Sequence, residues 1–137
     1  MNPNYCNTIT LYNRIKAADG PEKKERWVRT VLTGCSWKAV TNTILDTEAS
    51  LQNTYTARIP EDNRYLPYAE FCQDPDGHFT VSHGDLVVYG ECKDEVTGES
   101  GNTATQILNR NKPNAFKVTA FSDNTCFVVG KHYRLGG

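Results

Sequence analysis

Apolar and polar residues alternate along this chain in short runs, separated by glycine, proline, asparagine and aspartate. That is the period of half-buried β-strands. Across Asn7 to Tyr12, Ile9 and Leu11 fall on one side and Thr8, Thr10 and Tyr12 on the other. Trp27 to Leu32 repeats the pattern, with Trp27, Arg29 and Val31 on one face and Val28, Thr30 and Leu32 on the other. Gly34 predicts a break or bulge before the strand resumes over Cys35 to Val40. Tyr55, Ala57 and Ile59 then alternate with Thr56 and Arg58 until Pro60 stops the ladder. The turn Asp74-Pro75-Asp76-Gly77 leads into Phe79 and Val81, which alternate with Thr80 and Ser82. Leu86-Val87-Val88-Tyr89, bounded by Gly84 and Gly90, is instead a continuous apolar run. It predicts a strand buried on both faces, placed in the middle of a small barrel or sandwich.

The remaining segments punctuate these strands. Lys16 to Arg26 contains Asp19-Gly20-Pro21 and mixed charges and reads as a solvated loop or one helical turn. Thr41 to Thr54 is rich in Thr, Asn, Ser and Gln, carries Asp46 and Glu48, and has no Lys or Arg. Without clear periodicity it predicts a long loop between strands 2 and 3, of the kind that carries function. Tyr65 to Phe71 is aromatic, but Pro67 predicts an edge strand or irregular packing. A polar stretch from Lys93 to Asn102 ends at Thr103-Ala-Thr-Gln106, a capping-box pattern that opens a short helix from Ala104 to about Asn109. Phe116, Val118 and Ala120 mark another strand, Ser122-Asp-Asn124 a turn, and Cys126 to Leu135 the closing strand. The sum is six to eight strands and one short helix, a mainly-β, single-domain small β-barrel.

A chain of 137 residues suffices for one hydrophobic core. Its 15 basic and 16 acidic residues lack the basic excess of a general nucleic-acid binder. No apolar run reaches the roughly 18 residues of a membrane span, and no basic-then-apolar leader opens the chain, so neither membrane insertion nor secretion is expected. Five cysteines, odd in number and without a C-x-x-C, predict free thiols packed as small apolar groups in an intracellular protein. His78, His83 and His132 form no i,i+4 pair on a helix, so no helical metal pair exists. Cys72 or Cys92 beside His78 or His83 is the one enzyme alternative, a Cys–His site, and nothing around them resembles a nucleophile elbow. Asp74 and Asp76 belong to their turn. No Walker loop, G-x-G-x-x-G or EF-hand pattern occurs. The expectation is a structural or interaction protein, not an enzyme, with no catalytic, cofactor or metal residue.

Ile9-Thr-Leu-Tyr-Asn13, Trp27-Val-Arg-Thr-Val-Leu-Thr-Gly-Cys-Ser-Trp37, Ser82-His-Gly-Asp-Leu-Val-Val-Tyr-Gly-Glu91, Ala120-Phe-Ser-Asp-Asn124 and Lys131-His-Tyr-Arg-Leu-Gly-Gly137 follow one another in the chain. In that order they resemble head-closure proteins (stoppers, or head–tail connectors) of tailed phages and prophages of Gram-positive bacteria. The resemblance implies a small β-barrel made in the bacterial cytoplasm and assembled as a ring, dodecameric in the family, at the virion neck. Its partners would be further copies of itself, the portal or adaptor protein above and tail proteins below. Packaged DNA would pass through without specific binding, and no membrane is involved. In stoppers the loop between the second and third strands points into the channel and holds back DNA. Here that loop would be Thr41 to Thr54, with Ile44, Leu45, Asp46, Glu48 and Leu51 as its channel residues. Subunit contacts would fall to the charged cluster with Lys23, Lys24 and Arg26 and to the aromatic segment with Tyr65, Tyr68 and Phe71. A tail-side terminator is the other neck protein such a chain resembles.

Overall fold

One strand, β2 (Arg26–Ile44), is nineteen residues long and organises the rest. The computed structural model describes residues 5–20, 23–44, 50–126 and 129–137. The first half of β2, Arg26 to Cys35, pairs with β1 (Asn7–Ile15), and the second half, Ser36 to Ile44, pairs with β3 (Ser50–Pro60). The handover occurs at Gly34, whose φ of 67° suits glycine alone without strain. The β1 register slips there: Ile9 faces Leu32, yet Asn7 faces Cys35. This bulge inverts the strand's phase. Leu32 points into the core, and so do Cys35 and Trp37 beyond the bulge, which unbroken alternation would have turned outward.

On one side of β2, β1 pairs with β4 (Leu86–Tyr89), which pairs with β5 (Ala115–Lys117). On the other side, β3 pairs with β7 (His132–Gly136), which pairs with β6 (Ala120–Asn124). The seven strands make one curled antiparallel sheet, a half-barrel, in the order β5-β4-β1-β2-β3-β7-β6. Its two end strands are consecutive in the chain. Val118 bonds back to Gly84 and Asp85, and the next residue, Thr119, donates to Gly136 of β7 at 2.9 Å. The chain therefore steps from one half of the sheet to the other between these two residues.

The concave side holds Ile9, Leu11, Leu32, Ala57, Ile59, Phe79, Val87 and Leu135. β4 is buried on both faces, as its apolar run predicts. Val87 points inward, while Leu86 and Val88 lie under helix α2 (Ala104–Asn111) with Tyr12, Ala115 and Ile107. The capping box is present, Thr103 accepting from Gln106 N and Gln106 reaching back to Thr103 N. The middle of the sheet, however, is β2 and not β4.

Other expectations are corrected. Tyr65 to Phe71 is not a strand: only Tyr65 bridges to Phe79, and a second helix, α1 (Tyr68–Gln73), follows. Pro67 sits immediately before that helix, where its fixed φ and missing N–H do no harm. Phe79 and Val81 are buried but belong to no strand. Phe116 to Ala120 is split by the crossing at Val118 and Thr119, and Ser122 to Asn124 continues β6 instead of turning. Within Cys126 to Leu135 only the part from His132 is strand among the described residues. The long loop is shorter than expected, since 41–44 and 50–54 are paired strand backbone.

One buried carboxylate ties β1 to the turn before β4. Asp85 is fully buried and accepts from Arg14 N (3.0 Å), Asn13 Nδ2 (2.9 Å) and Ser82 N (2.8 Å). Asn13 also donates to Thr80 O and accepts from Thr80 N. Burial raises the Asp85 pKa to about 6, against the pull of those donors.

Both the bulge and the buried carboxylate can be tested by unfolding. Gly34→Val puts a β-branched residue into left-handed backbone and lowers unfolding free energy by about 2 kcal/mol or more, measured in urea. Because the folded pKa of Asp85 lies above its unfolded value, its contribution is fully present below about pH 4 and is lost as pH rises through about 6. The stability difference between wild type and Asp85→Asn should fall over that window by on the order of 2 kcal/mol; a difference that rises with pH contradicts this account of Asp85.

Candidate functional site

The β2–β3 hairpin outruns its neighbours. β1 leaves β2 at Cys35, and β7 with Gly137 after it stays bonded to β3 as far as Tyr55, but the hairpin ladder continues from Ala39 opposite Tyr55 to Ile44 opposite Ser50. Five further residue steps at about 3.4 Å each make an arm about 17 Å long, with no third strand beside it among the described residues. An isolated two-stranded ribbon is marginal in water. Its direction therefore depends on its root.

That root is aromatic. Trp37 of β2 lies 5.8 Å from Tyr55, 5.4 Å from Tyr89 and 5.4 Å from Phe116, measured between ring centroids. Tyr55 and Phe116 stack at 5.2 Å. The Tyr55 hydroxyl donates to Pro113 O at 2.9 Å, linking β3 to the segment before β5 across the open side of the sheet. Asn7 adds a polar brace, accepting from Trp37 N at 3.3 Å and donating to the Tyr89 hydroxyl at 3.1 Å. The arm thus leaves a clamped base that draws on β2, β3, β4 and β5.

Of the expected channel residues, Leu45, Asp46 and Glu48 lie outside the described residues. Ile44 and Leu51 fall in the paired backbone of the arm, opposite Ser50 and Thr43. Lys23 and Lys24 are exposed in the connection before β2, and Arg26, the exposed first residue of β2, pairs with Asp76 at 3.3 Å. Tyr65 is half-buried and stacked on Tyr133 at 4.3 Å. The Tyr68 hydroxyl donates to Asp19 (2.8 Å) and accepts from Lys16 N (3.1 Å), fastening the β1–β2 connection. Phe71 is fully buried with Ile15 and Cys72, so its side chain belongs to the core and is no subunit contact. The structure brings the charged cluster and α1 together, Lys24 and Arg26 lining one cleft with Cys72 and Gln73, while Tyr65 packs elsewhere, on Tyr133.

The cysteines expected to be free are free: Cys35, Cys72 and Cys92 are buried, Cys6 and Cys126 exposed. Burial, with the Asp62 charge adding to it, pushes the Cys35 thiol up to about 12, the opposite of what a nucleophile needs. His78 is engaged with the Asp74 carbonyl, and His132 with Asn124 and the Gly130 carbonyl. Among the described residues no group of His, Cys, Asp and Glu is arranged to hold a metal, and no helix is long and apolar enough to cross a membrane.

Fold and site together define a curled mainly-β domain that presents a braced hairpin arm. The chain belongs to the Family of unknown function (DUF6751), whose model matches residues 5–137. No curated protein and no solved structure matches it.

The clamp is only partly legible in the sequence. Trp37 is readable as a packing anchor, but Phe116 and Tyr89 meet it through pairings distant in the chain that no local pattern encodes. Trp37→Ala should lower the unfolding free energy by about 3 kcal/mol, and Tyr55→Phe, which removes the hydroxyl donated to Pro113 O, by about 1 kcal/mol. Equilibrium urea unfolding with tryptophan or tyrosine fluorescence measures both.

Proposed function

We propose that this protein is a ring-forming structural component of a tailed-phage or prophage head–tail connector, acting at the virion neck below the portal or adaptor. Its β2–β3 arm reaches into the channel and helps hold back packaged DNA until the tail docks. The observation that supports this is the arm, a long β2–β3 hairpin on a small curled β-sheet; in the stoppers that the sequence resembles, the connection between the second and third strands is the one that closes the channel.

The chemistry suits the role. Residues 41–54 contain no Lys or Arg, so the segment does not clamp phosphates that must later slide past. A ring multiplies a weak contact by the number of copies. Each arm therefore needs only a small interaction with its neighbours to close a channel, and that closure stays reversible. The aromatic clamp supplies the rigidity, because a ribbon free at its root could not hold a fixed direction against DNA under pressure.

Replacing residues 41–53 by Asn-Gly joins Val40 to Thr54, which already face each other in the ladder, through a two-residue turn. The shortened protein should unfold within about 1 kcal/mol of the parent and still join heads. Those heads should lose their DNA before tail attachment, scored by nuclease sensitivity of the packaged genome. Heads that keep their DNA as well as the parent's do would show that the arm is not the plug.

A further inference from the structure

The convex face of the β2–β3–β7–β6 half carries a row of cations without a counter-charge. Ser36, Arg58, Arg134 and Ser122 are successive cross-strand partners and so share one face, and Lys38 lies in the next row opposite Thr56. Lys38 and Arg134 are exposed and Arg58 is partly so. Arg58 and Arg134 are directly opposed, a placement that repels in an isolated sheet. None of the three makes an ion pair among the described residues. The single carboxylate in these strands, Asp123, is in the Tyr133 row and faces the other way. Helix α2 packs on β4 and β5 and not on this face, where among the described residues Tyr5 lies at one end against His132, 6.5 Å between ring centroids.

The complementary charge is on the other half of the molecule. The segment after β4 carries exposed Glu91, Glu95 and Glu99, with Lys93 among them and Glu91 already 3.9 Å from Arg29, so Glu95 and Glu99 are its free carboxylates. It is pinned to the convex side of β1, where Tyr12 donates to Asp94 O (2.6 Å) and Arg29 to Cys92 O (2.5 Å). Glu95 and Glu99 make no ion pair among the described residues. The two halves of the sheet enclose the core between them, so their convex faces point away from each other. The acidic segment and the basic row cannot meet within one chain.

We propose that the basic face of one copy, Lys38, Arg58 and Arg134, docks the acidic segment of a second copy, Glu91, Glu95 and Glu99, in a head-to-tail contact. Two different patches on opposite sides of one subunit make a heterologous interface, the kind that closes into a ring when its rotation allows. The contact rests on the ring-forming reading and names the surfaces that would build it. It assigns subunit contact to residues other than the charged cluster at Lys23 to Arg26. Opposed charge at a polar interface governs encounter and register, so the association weakens as salt rises.

Charge reversal tests it on the full chain. Arg58→Glu/Arg134→Glu and Glu95→Lys/Glu99→Lys should each weaken self-association at low salt at least about tenfold in sedimentation equilibrium. Mixed in equal amounts the two variants should associate again, because each reversed face then meets an opposite charge. Zero-length carbodiimide coupling of mixed light and heavy-nitrogen wild-type protein should give intermolecular links from Lys38 to Glu95 or Glu99. The proposal is overturned if the variants associate as wild type does, or if their mixture is not rescued. It is also overturned if wild type stays monomeric and unlinked at millimolar concentration while its basic face instead retains duplex DNA in a manner lost in Arg58→Glu/Arg134→Glu. Links and rescue in a protein that plays no part in DNA retention would support this contact and count against the connector.

Discussion

A nineteen-residue strand would run about 60 Å if straight, far beyond the breadth of a domain of this size. It has to bend, protrude, or both. β2 does both, and the bend at Gly34 is the constraint on which the rest of the structure depends. Before the bend the strand belongs to β1; after it, to β3. The phase inversion keeps Leu32, Cys35 and Trp37 on the concave side, so one continuous strand lines the core through a corner.

The corner has consequences in every part of the fold. With the sheet turned on itself, the β1–β4–β5 half needs a cover on its convex side, and α2 provides it over Leu86, Val88 and Tyr12. Asp85 and Asn13 lock the turn that feeds β4 against β1, placing a buried carboxylate where three N–H groups converge. Among the described residues no helix covers the opposite half, whose convex face carries Lys38, Arg58 and Arg134. The length of β2 left over after the core is lined becomes the arm, and among the described residues Trp37 is the last of the strand packed against the core.

Strand identity is legible in the sequence where one face is buried and the other wet. β3 follows its alternation from Tyr55 to Pro60, and β4 is readable as doubly buried from Leu86-Val87-Val88. But β1 keeps no wet face: Ile9 to Asn13 are all buried, because α2 and the segment after β4 cover the side that carries Thr10 and Tyr12. The bulge is readable from Gly34, and the α2 cap from Thr103 and Gln106. The arm is hidden because Thr, Asn, Ser and Gln fill most of residues 41–54, leaving no apolar period of two to read, and so the segment reads as a loop. α1 is hidden by Pro67, which forbids a strand interior and equally opens a helix. The crossing at Val118 and Thr119 is hidden because the alternation of Phe116, Val118 and Ala120 does not change when the partner strand does. The basic row is present at alternating positions, but only the pairing of β3 with β7 places Arg58 opposite Arg134.

The central claim is that β2 bends to build a domain and extends to build an arm that works on the axis of a ring. Electron cryomicroscopy of the assembled protein, alone or in the neck of its particle, tests this most directly. The account predicts a closed ring of copies whose β2–β3 hairpins converge on the central channel, each leaving its domain beside Trp37. A ring with the hairpins directed outward, or particles without the protein at the neck, would contradict it.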